Sequence, residues 1–352
     1  MQQQPIGKGL DIGTANLLSA VQDANGNITV KKQRNAFVDV PLDAHQKAML
    51  TRLKVPYVVQ GKQMYVLGDA AFELANVLNK NTRRPMASGL ISPKESAAVP
   101  VMKLLIESLI GKPAVVGEPL FFSVPGVPID VERNVIYHRD VFQAILREMG
   151  YAAQEVNEGH AVVLSELAND DFTGIGISFC GGMGNVCVSY RSMPALTFAV
   201  SRGGDWVDQN VANVLGIKPA KATMIKESGF DVTKPQNREQ EAVSIYLSSM
   251  VNHVLTAIAE RFRMADDMPS FNEPVPVVLA GGTPMIPGFA KLVEAEFAKI
   301  DFPIPVKEVR VAPQPLHAIA RGCLMMAMTA EADPSAVAAP GTAMATAAAL
   351  AE

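Results

Sequence analysis

One local pattern occurs twice in this chain, and it limits the folds open to it more than any other feature. In the first copy, Leu10 and Ile12, then Leu17, Leu18 and Ala20, bracket a turn of small polar residues (Asp11, Gly13, Thr14, Asn16), and Asn25-Gly26-Asn27 leads into Ile28-Thr29-Val30. The second copy begins at Ile175 and Ile177, turns through Phe179-Cys180-Gly181-Gly182-Met183-Gly184-Asn185, and continues through Val186–Tyr190 to another strand near Leu196–Val200. Ser178 stands 167 residues after Asp11. A strand-turn-strand meander repeated at that distance predicts two related halves.

The segments between and after the copies read as α/β alternation. Helices are expected at about 95–111 and 131–149 and a buried strand at about 119–125. In the second half, helices are expected at about 204–215, 239–263, 287–299 and 315–330, with a strand Val277–Ala280 before Gly281-Gly282. A chain of 352 residues, 49% hydrophobic and 19% charged, is long enough for two such domains and too apolar for disorder. The alanine-rich end, from Ala332, reads as a flexible tail.

A net charge of −4 provides no basic surface, so no nucleic-acid partner is expected. Cys180, Cys187 and Cys323 form no CxxC pair, which suits a reducing cytoplasm, and cytoplasmic localisation is the expectation. No run approaches 18 consecutive apolar residues, and the N-terminal run is too short for a signal peptide. Met1 to Lys8 is too short for a stable amphipathic surface helix.

Turns of glycine and small hydroxyl residues can offer several backbone N–H groups to an anion. Asp11-Ile12-Gly13-Thr14-Ala15-Asn16 has this form, with a carboxylate suited to a hydrated Mg²⁺. By itself it is an ordinary hairpin turn; facing Gly181-Gly182-Met183-Gly184 it becomes half of a phosphate clamp. Gly203-Gly204-Asp205 precedes a helix, where N–H groups favour anions or ribose hydroxyls, although it is equally a plain helix start. Lys226 and Glu227 read either as a purine-site wall or as a solvated pair. Gly281-Gly282-Thr283 is a strand-to-helix turn that can approach a base, or a structural turn. His45, His138, His160, His253 and His317 have no metal spacing, and the 17 methionines read as core filler.

Five segments in this order resemble the actin-like, Hsp70-type ATPase superfamily, and most of all the bacterial actins of the MreB and MamK kind. Asp11–Asn16 is similar to the first phosphate motif, Arg84-Pro85-Met86 with Gly89-Leu90-Ile91 to the bacterial actin RPM segment, and Asn157-Glu158-Gly159 to the connecting segment. Gly203-Gly204-Asp205 and Ile225-Lys226-Glu227 are similar to the ribose and adenine segments, and Gly281-Gly282 to the adenosine motif. The resemblance implies an α/β actin-like fold, two duplicated RNase-H-like halves around an interdomain nucleotide cleft. The first half is expected at 1–156, with a small subdomain inserted at about 31–94; the second at 157–330, with a helical insertion at about 204–275; the tail at 331–352. It also implies ATP and Mg²⁺ as cofactors, Asp11 as the metal residue, Glu158 as the carboxylate that positions attacking water, and self-assembly into filaments with membrane or cargo adaptors as partners.

Two departures from the family pattern qualify this. Ser178 stands where the second phosphate motif normally carries Asp, which predicts weaker Mg²⁺ placement and slow hydrolysis. Gly159 replaces the usual proline, which predicts a looser backbone beside Glu158. The expected function is therefore an ATP-binding cytoskeletal polymer for cell shape or intracellular positioning with slow turnover. The alternative is a non-filamentous nucleotide-binding scaffold of the same fold. A chaperone reading lacks room for a peptide-binding domain, and no acceptor motif supports a sugar kinase.

Overall fold

The computed structural model describes residues 7–78, 81–265, 268–333 and 335. Two five-stranded sheets of the same topology dominate it. The first runs in the order β10-β9-β1-β2-β3 and the second in the order β15-β14-β11-β12-β13. In the first, β1 (Lys8–Ile12), β2 (Asn16–Gln22) and β3 (Ile28–Arg34) form the antiparallel meander, and β9 (Glu118–Val124) and β10 (Tyr151–Asn157) extend it in parallel. In the second, β11 (Gly174–Phe179), β12 (Gly184–Tyr190) and β13 (Met193–Val200) form the meander, and β14 (Val275–Ala280) and β15 (Val306–Val311) extend it.

The residues explain this layering. β9 and β14 are buried along their whole length, as parallel strands covered on both faces must be. β3 is an edge strand carrying Lys31, Lys32, Gln33 and Arg34, charges and amides that discourage further pairing. Between β3 and α3 (Ala98–Ile110) the chain builds a small sheet from β4 (Phe37–Pro41), β5 (Val58–Gln60) and β6 (Gln63–Leu67), with α1 (Ala44–Arg52) and α2 (Asp69–Leu78). A hairpin, β7 (Met86–Ala87) and β8 (Leu90–Ile91), returns toward the first sheet. The separate small sheet thus starts at Phe37, after β3 has completed the main sheet at Arg34, rather than at about 31. The expected tail lies outside the described residues beyond Ser335.

In the second half, α6 (Gly204–Leu215), α7 (Pro219–Lys226) and α8 (Arg238–Met264) lie between β13 and β14. α6 stops at Gly216, whose φ of 68° suits a left-handed cap. Asn237 caps α8, with Glu239 and Glu241 in its first turn and Arg261 and Arg263 in its last, each charge complementing the helix dipole. By length and composition α8 could cross a membrane, but its apolar face, including Leu247, Val251 and Leu255, packs in the second core with α9 (Phe289–Phe297).

The halves interlock through exchanged helices. α5 (Glu158–Glu166) follows β10 of the first sheet yet packs on β11 and β12 of the second, whereas α10 (Ala318–Met328) follows β15 yet packs on β1 and β9 of the first. The two helices meet where a Cβ on Gly322 would lie 1.9 Å from the Ala161 carbonyl oxygen. Gly159 is similarly constrained, because a Cβ there would lie 2.6 Å from the Cys187 backbone nitrogen. Glycine at 159 therefore serves close helix-to-strand contact, and the looseness expected from the lost proline is not what the packing requires. On the opposite side of the junction, α4 (Val135–Glu148) is preceded by a strap, residues 126–130, bonded to the second half. Ile129 N donates to Ala199 O at 3.0 Å, and Asp130 accepts from Ser201 and His253.

Candidate functional site

The first turns of the two meanders come to the junction on either side of the β7–β8 turn. Asp11, near the end of β1, is 5% exposed and accepts a hydrogen bond from Ser123 Oγ of β9 at 2.9 Å. Glu158 is the first residue of α5, capped by Asn157, whose side chain accepts from the Gly159 and His160 N–H groups. It is also 5% exposed. Its Oε2 accepts from Asn185 Nδ2 at 2.8 Å and from Ser178 Oγ at 3.3 Å. Ser178 and Asn185 are register partners on β11 and β12, which is why both reach one carboxylate oxygen.

Burial dominates the electrostatics here. It raises the Asp11 carboxyl to about 7 against the Ser123 hydrogen bond. Burial first, and then the charge of Asp11, raise Glu158 to about 8. Burial and both carboxylates push the Cys180 thiol well above its ordinary value, so it is a neutral neighbour, within 3.0 Å of Ser178 Oγ. Two carboxyl groups are thus buried at the junction, and the charge of Asp11 acts on Glu158.

A cleft of about 420 Å³ opens between the halves, and the buried carboxyls of Asp11 and Glu158 lie behind its lining rather than in it. Ala15 and Asn16 line it from the first turn and Gly181 from the second. Gly204, Asp205, Lys226 and Glu227 line it from the helical insertion, with Gly282 and Thr283 from the turn after β14. These are nine of the residues expected from the sequence. Lys226 is 7% exposed, and its ammonium donates to Asp208 Oδ2 at 2.8 Å and to the Gly204 carbonyl at 3.1 Å. It is a buried ion pair, not half of a solvated pair with Glu227, which is exposed. The other Asp208 oxygen, Oδ1, is buried with no hydrogen-bond partner among the described residues.

The remaining expected residues support the walls from behind. Gly13 N closes the first turn on Asn16 O, and Thr14 Oγ1 accepts from Gly89 N at 3.0 Å. A Cβ on Gly182 would lie 2.0 Å from Gly89 N, so the β7–β8 turn is pressed between both phosphate-type turns. Met183 is core, its side chain against Gly89, and Gly184 begins β12. Gly203 packs on the Gly181 carbonyl, and Gly281, with φ of 96°, on that of Phe179.

Sequence reading missed Ser123, Asn185 and Asp208 at the site, and the cations Lys32, Arg34 and Arg84 in the cleft wall. Asn185 was open to discovery, since the 167-residue offset that pairs Ser178 with Asp11 pairs it with Leu18, a polar residue in an apolar place. Arg84 lies 3.6 Å from Asp205 across the cleft mouth, a contact that only the fold creates.

Among the described residues no group of three or more His, Cys, Asp and Glu side chains forms a metal cluster. Mg²⁺ needs no such cluster, since it keeps several waters and is bound through one or two carboxylates plus substrate phosphates. Burial holds Asp11 and Glu158 toward their protonated forms, with the charge of Asp11 adding to the effect on Glu158, and a bound cation would relieve this. The residues therefore fit Mg²⁺ when phosphate is present.

Two like sheets, exchanged helices and a cleft walled by glycine turns define an actin-like protein. Solved structures agree: MamK in a double helical filament superposes with a TM-score of 0.67 at 20% identity, covering 93% of this chain and 99% of that one. MreB5 of Spiroplasma citri bound to AMPPNP gives 0.61 at 13% identity, covering 91% and 95%. The ethanolamine utilization protein EutJ from Carboxydothermus hydrogenoformans gives 0.54 at 16% identity, covering 92% and 91%. No curated protein sequence matches the chain. Within the actin-like class the chain belongs to the Volactin family, whose sequence model matches residues 6–327.

Proposed function

We propose that this protein binds ATP with Mg²⁺ in the cleft, assembles with copies of itself into filaments, and hydrolyses ATP slowly. The observation that carries the reading is the cleft between the halves, walled by Ala15 and Asn16 of the first turn and Gly181 of the second, with the carboxyls of Asp11 and Glu158 buried at the same junction. The MamK filament and AMPPNP-bound MreB5 share the fold and supply the precedent for polymer and nucleotide.

In this reading the backbone of Gly13–Asn16 and Gly181 faces the phosphates, with Gly182, Met183 and Gly184 fixing the second turn. Gly203, Gly204 and Asp205 face the ribose; Lys226, Glu227, Gly281, Gly282 and Thr283 face the base. The unpartnered Asp208 Oδ1 is an acceptor for a hydroxyl or amino group. Asp11 would hold Mg²⁺, which when bound would supply charge neutralisation for the phosphates. Ser123 fixes the Asp11 carboxylate. Ser178 and Asn185 both bond Glu158 Oε2, which leaves Oε1 to accept a proton from water. Neutral Ser178 adds no third carboxylate, which accounts for slow turnover. Cytoplasmic location, a part in cell shape or positioning, and binding of adaptors but not nucleic acid complete the proposal.

One observation favours a second reading, a non-filamentous nucleotide-dependent scaffold: Ser178 at the place of Asp11 in the second half. Pelleting and phosphate release, measured together with and without Mg²⁺-ATP, separate the two. ATP-dependent pelleting with slow release that speeds up in Ser178→Asp supports the polymer. Bound ATP with neither pellet nor release supports the scaffold, and no ATP binding refutes both.

A further inference from the structure

A second cavity, larger than the cleft, measures about 810 Å³ and lies on the far side of the β7–β8 hairpin, under the loop that enters α3 and the first turns of α4. That volume is within the range of small-molecule sites. Its walls are apolar at Leu90, Ile91, Val99 and Tyr137. Its cations are Lys94 and Arg133, neither of which makes an ion pair among the described residues. The carboxylate in its lining, Glu95, is already held by Arg83 through two hydrogen bonds of 2.6 and 2.8 Å. The cavity therefore carries unbalanced positive charge.

His138 lies at the back of the cavity and ties its two walls together: the ring is 1% exposed, and its Nδ1, on α4, accepts from Ile91 N of the hairpin at 3.2 Å. Burial lowers the imidazole to about 3, so the ring adds no charge to the cavity.

We infer that this cavity is a binding site for a small amphipathic acid, a single carboxylate or sulfonate on an apolar body, with Arg133 and Lys94 facing the anion and Val99 and Tyr137 enclosing the apolar part. The site is separate from the nucleotide cleft, and the two share no lining residue. They stand back to back across one turn, because Ser88 lines the cavity and accepts from Arg133 Nη1 at 2.7 Å, while Gly89 bonds Thr14 on the other side.

The test is a fluorescence titration of the full chain with 8-anilinonaphthalene-1-sulfonate, with and without Mg²⁺-ATP, with octanoate as competitor and N-phenyl-1-naphthylamine as the uncharged comparator. One saturable, octanoate-sensitive site per chain, retained with ATP, is expected. The Lys94→Gln/Arg133→Gln double variant, at exposed or half-exposed positions, is expected to weaken it about fivefold. Val99→Trp, which fills the cavity, is expected to weaken it about tenfold or more at unchanged melting temperature. Absence of a saturable site, displacement by ATP, equal binding of the uncharged comparator, or indifference to both variants overturns the inference. None of these outcomes depends on whether the cleft binds nucleotide.

Discussion

Glu158→Gln should stabilise the protein in the absence of nucleotide and metal, and only at high pH. An acid whose folded pKa lies above its unfolded value keeps its proton in the folded state after the unfolded chain has released it. Its stabilising contribution is complete below the unfolded pKa and is lost as pH rises through the folded one. For Glu158 the window runs from 4.5 to about 8. At about 1.4 kcal/mol per pKa unit the full shift corresponds to roughly 5 kcal/mol. Part of it is repulsion shared with Asp11, so about 3 kcal/mol is assigned to removing the Glu158 charge alone. Gln keeps the side-chain volume and an acceptor for Ser178 and Asn185. For 352 residues the unfolding entropy is about 0.7 kcal/mol per kelvin, which converts 3 kcal/mol to a gain of about 4 °C. Thermal melts of wild type and variant at about pH 5 and about pH 8.5 read the effect, with almost no difference at the lower pH and the full gain at the higher. An equal gain at both pH values, or a loss at the higher one, refutes the claim that burial and the charge of Asp11 hold Glu158 toward its protonated form.

Three further outcomes follow from the same contacts. In Gly182→Ala the new Cβ meets Gly89 N at 2.0 Å, so the hairpin must move and the Gly89–Thr14 bond breaks; a loss of about 2–3 kcal/mol in a denaturant melt and weaker ATP-analogue binding are expected. Lys226→Met strands the buried Asp208 carboxylate and should cost about 3–5 kcal/mol in the same melt, with much of it recovered in Lys226→Met/Asp208→Leu. Ser178→Asp adds a third carboxylate to the pair, so its melting temperature should fall below wild type in EDTA and recover with Mg²⁺ and ADP; equal melting in both conditions would count against metal binding at this end.

The sequence alone was enough for the architecture, because a duplicated meander is a local signal: alternating apolar residues and small turn residues specify strands and hairpins wherever they occur. The strands of both meanders, β9, β14, α6 and α8 lie close to where periodicity placed them. Asp11 and the glycine turns were legible as chemistry because carboxylate and glycine have few roles in such turns, whereas Glu158 was singled out only through the resemblance to the actin-like superfamily. What the sequence could not give was long-range. The exchange of α5 and α10 between sheets, the need for Gly159 and Gly322 where backbones touch, and the insertion of the Gly89 turn between the two phosphate-type turns all depend on residues far apart in the chain. Lys226 and Glu227 show the difference most clearly. They are neighbours in sequence, but only the packing of α6 on α7 buries Lys226 against Asp208 and leaves Glu227 at the surface, because burial is a property of the assembled fold and not of the chain.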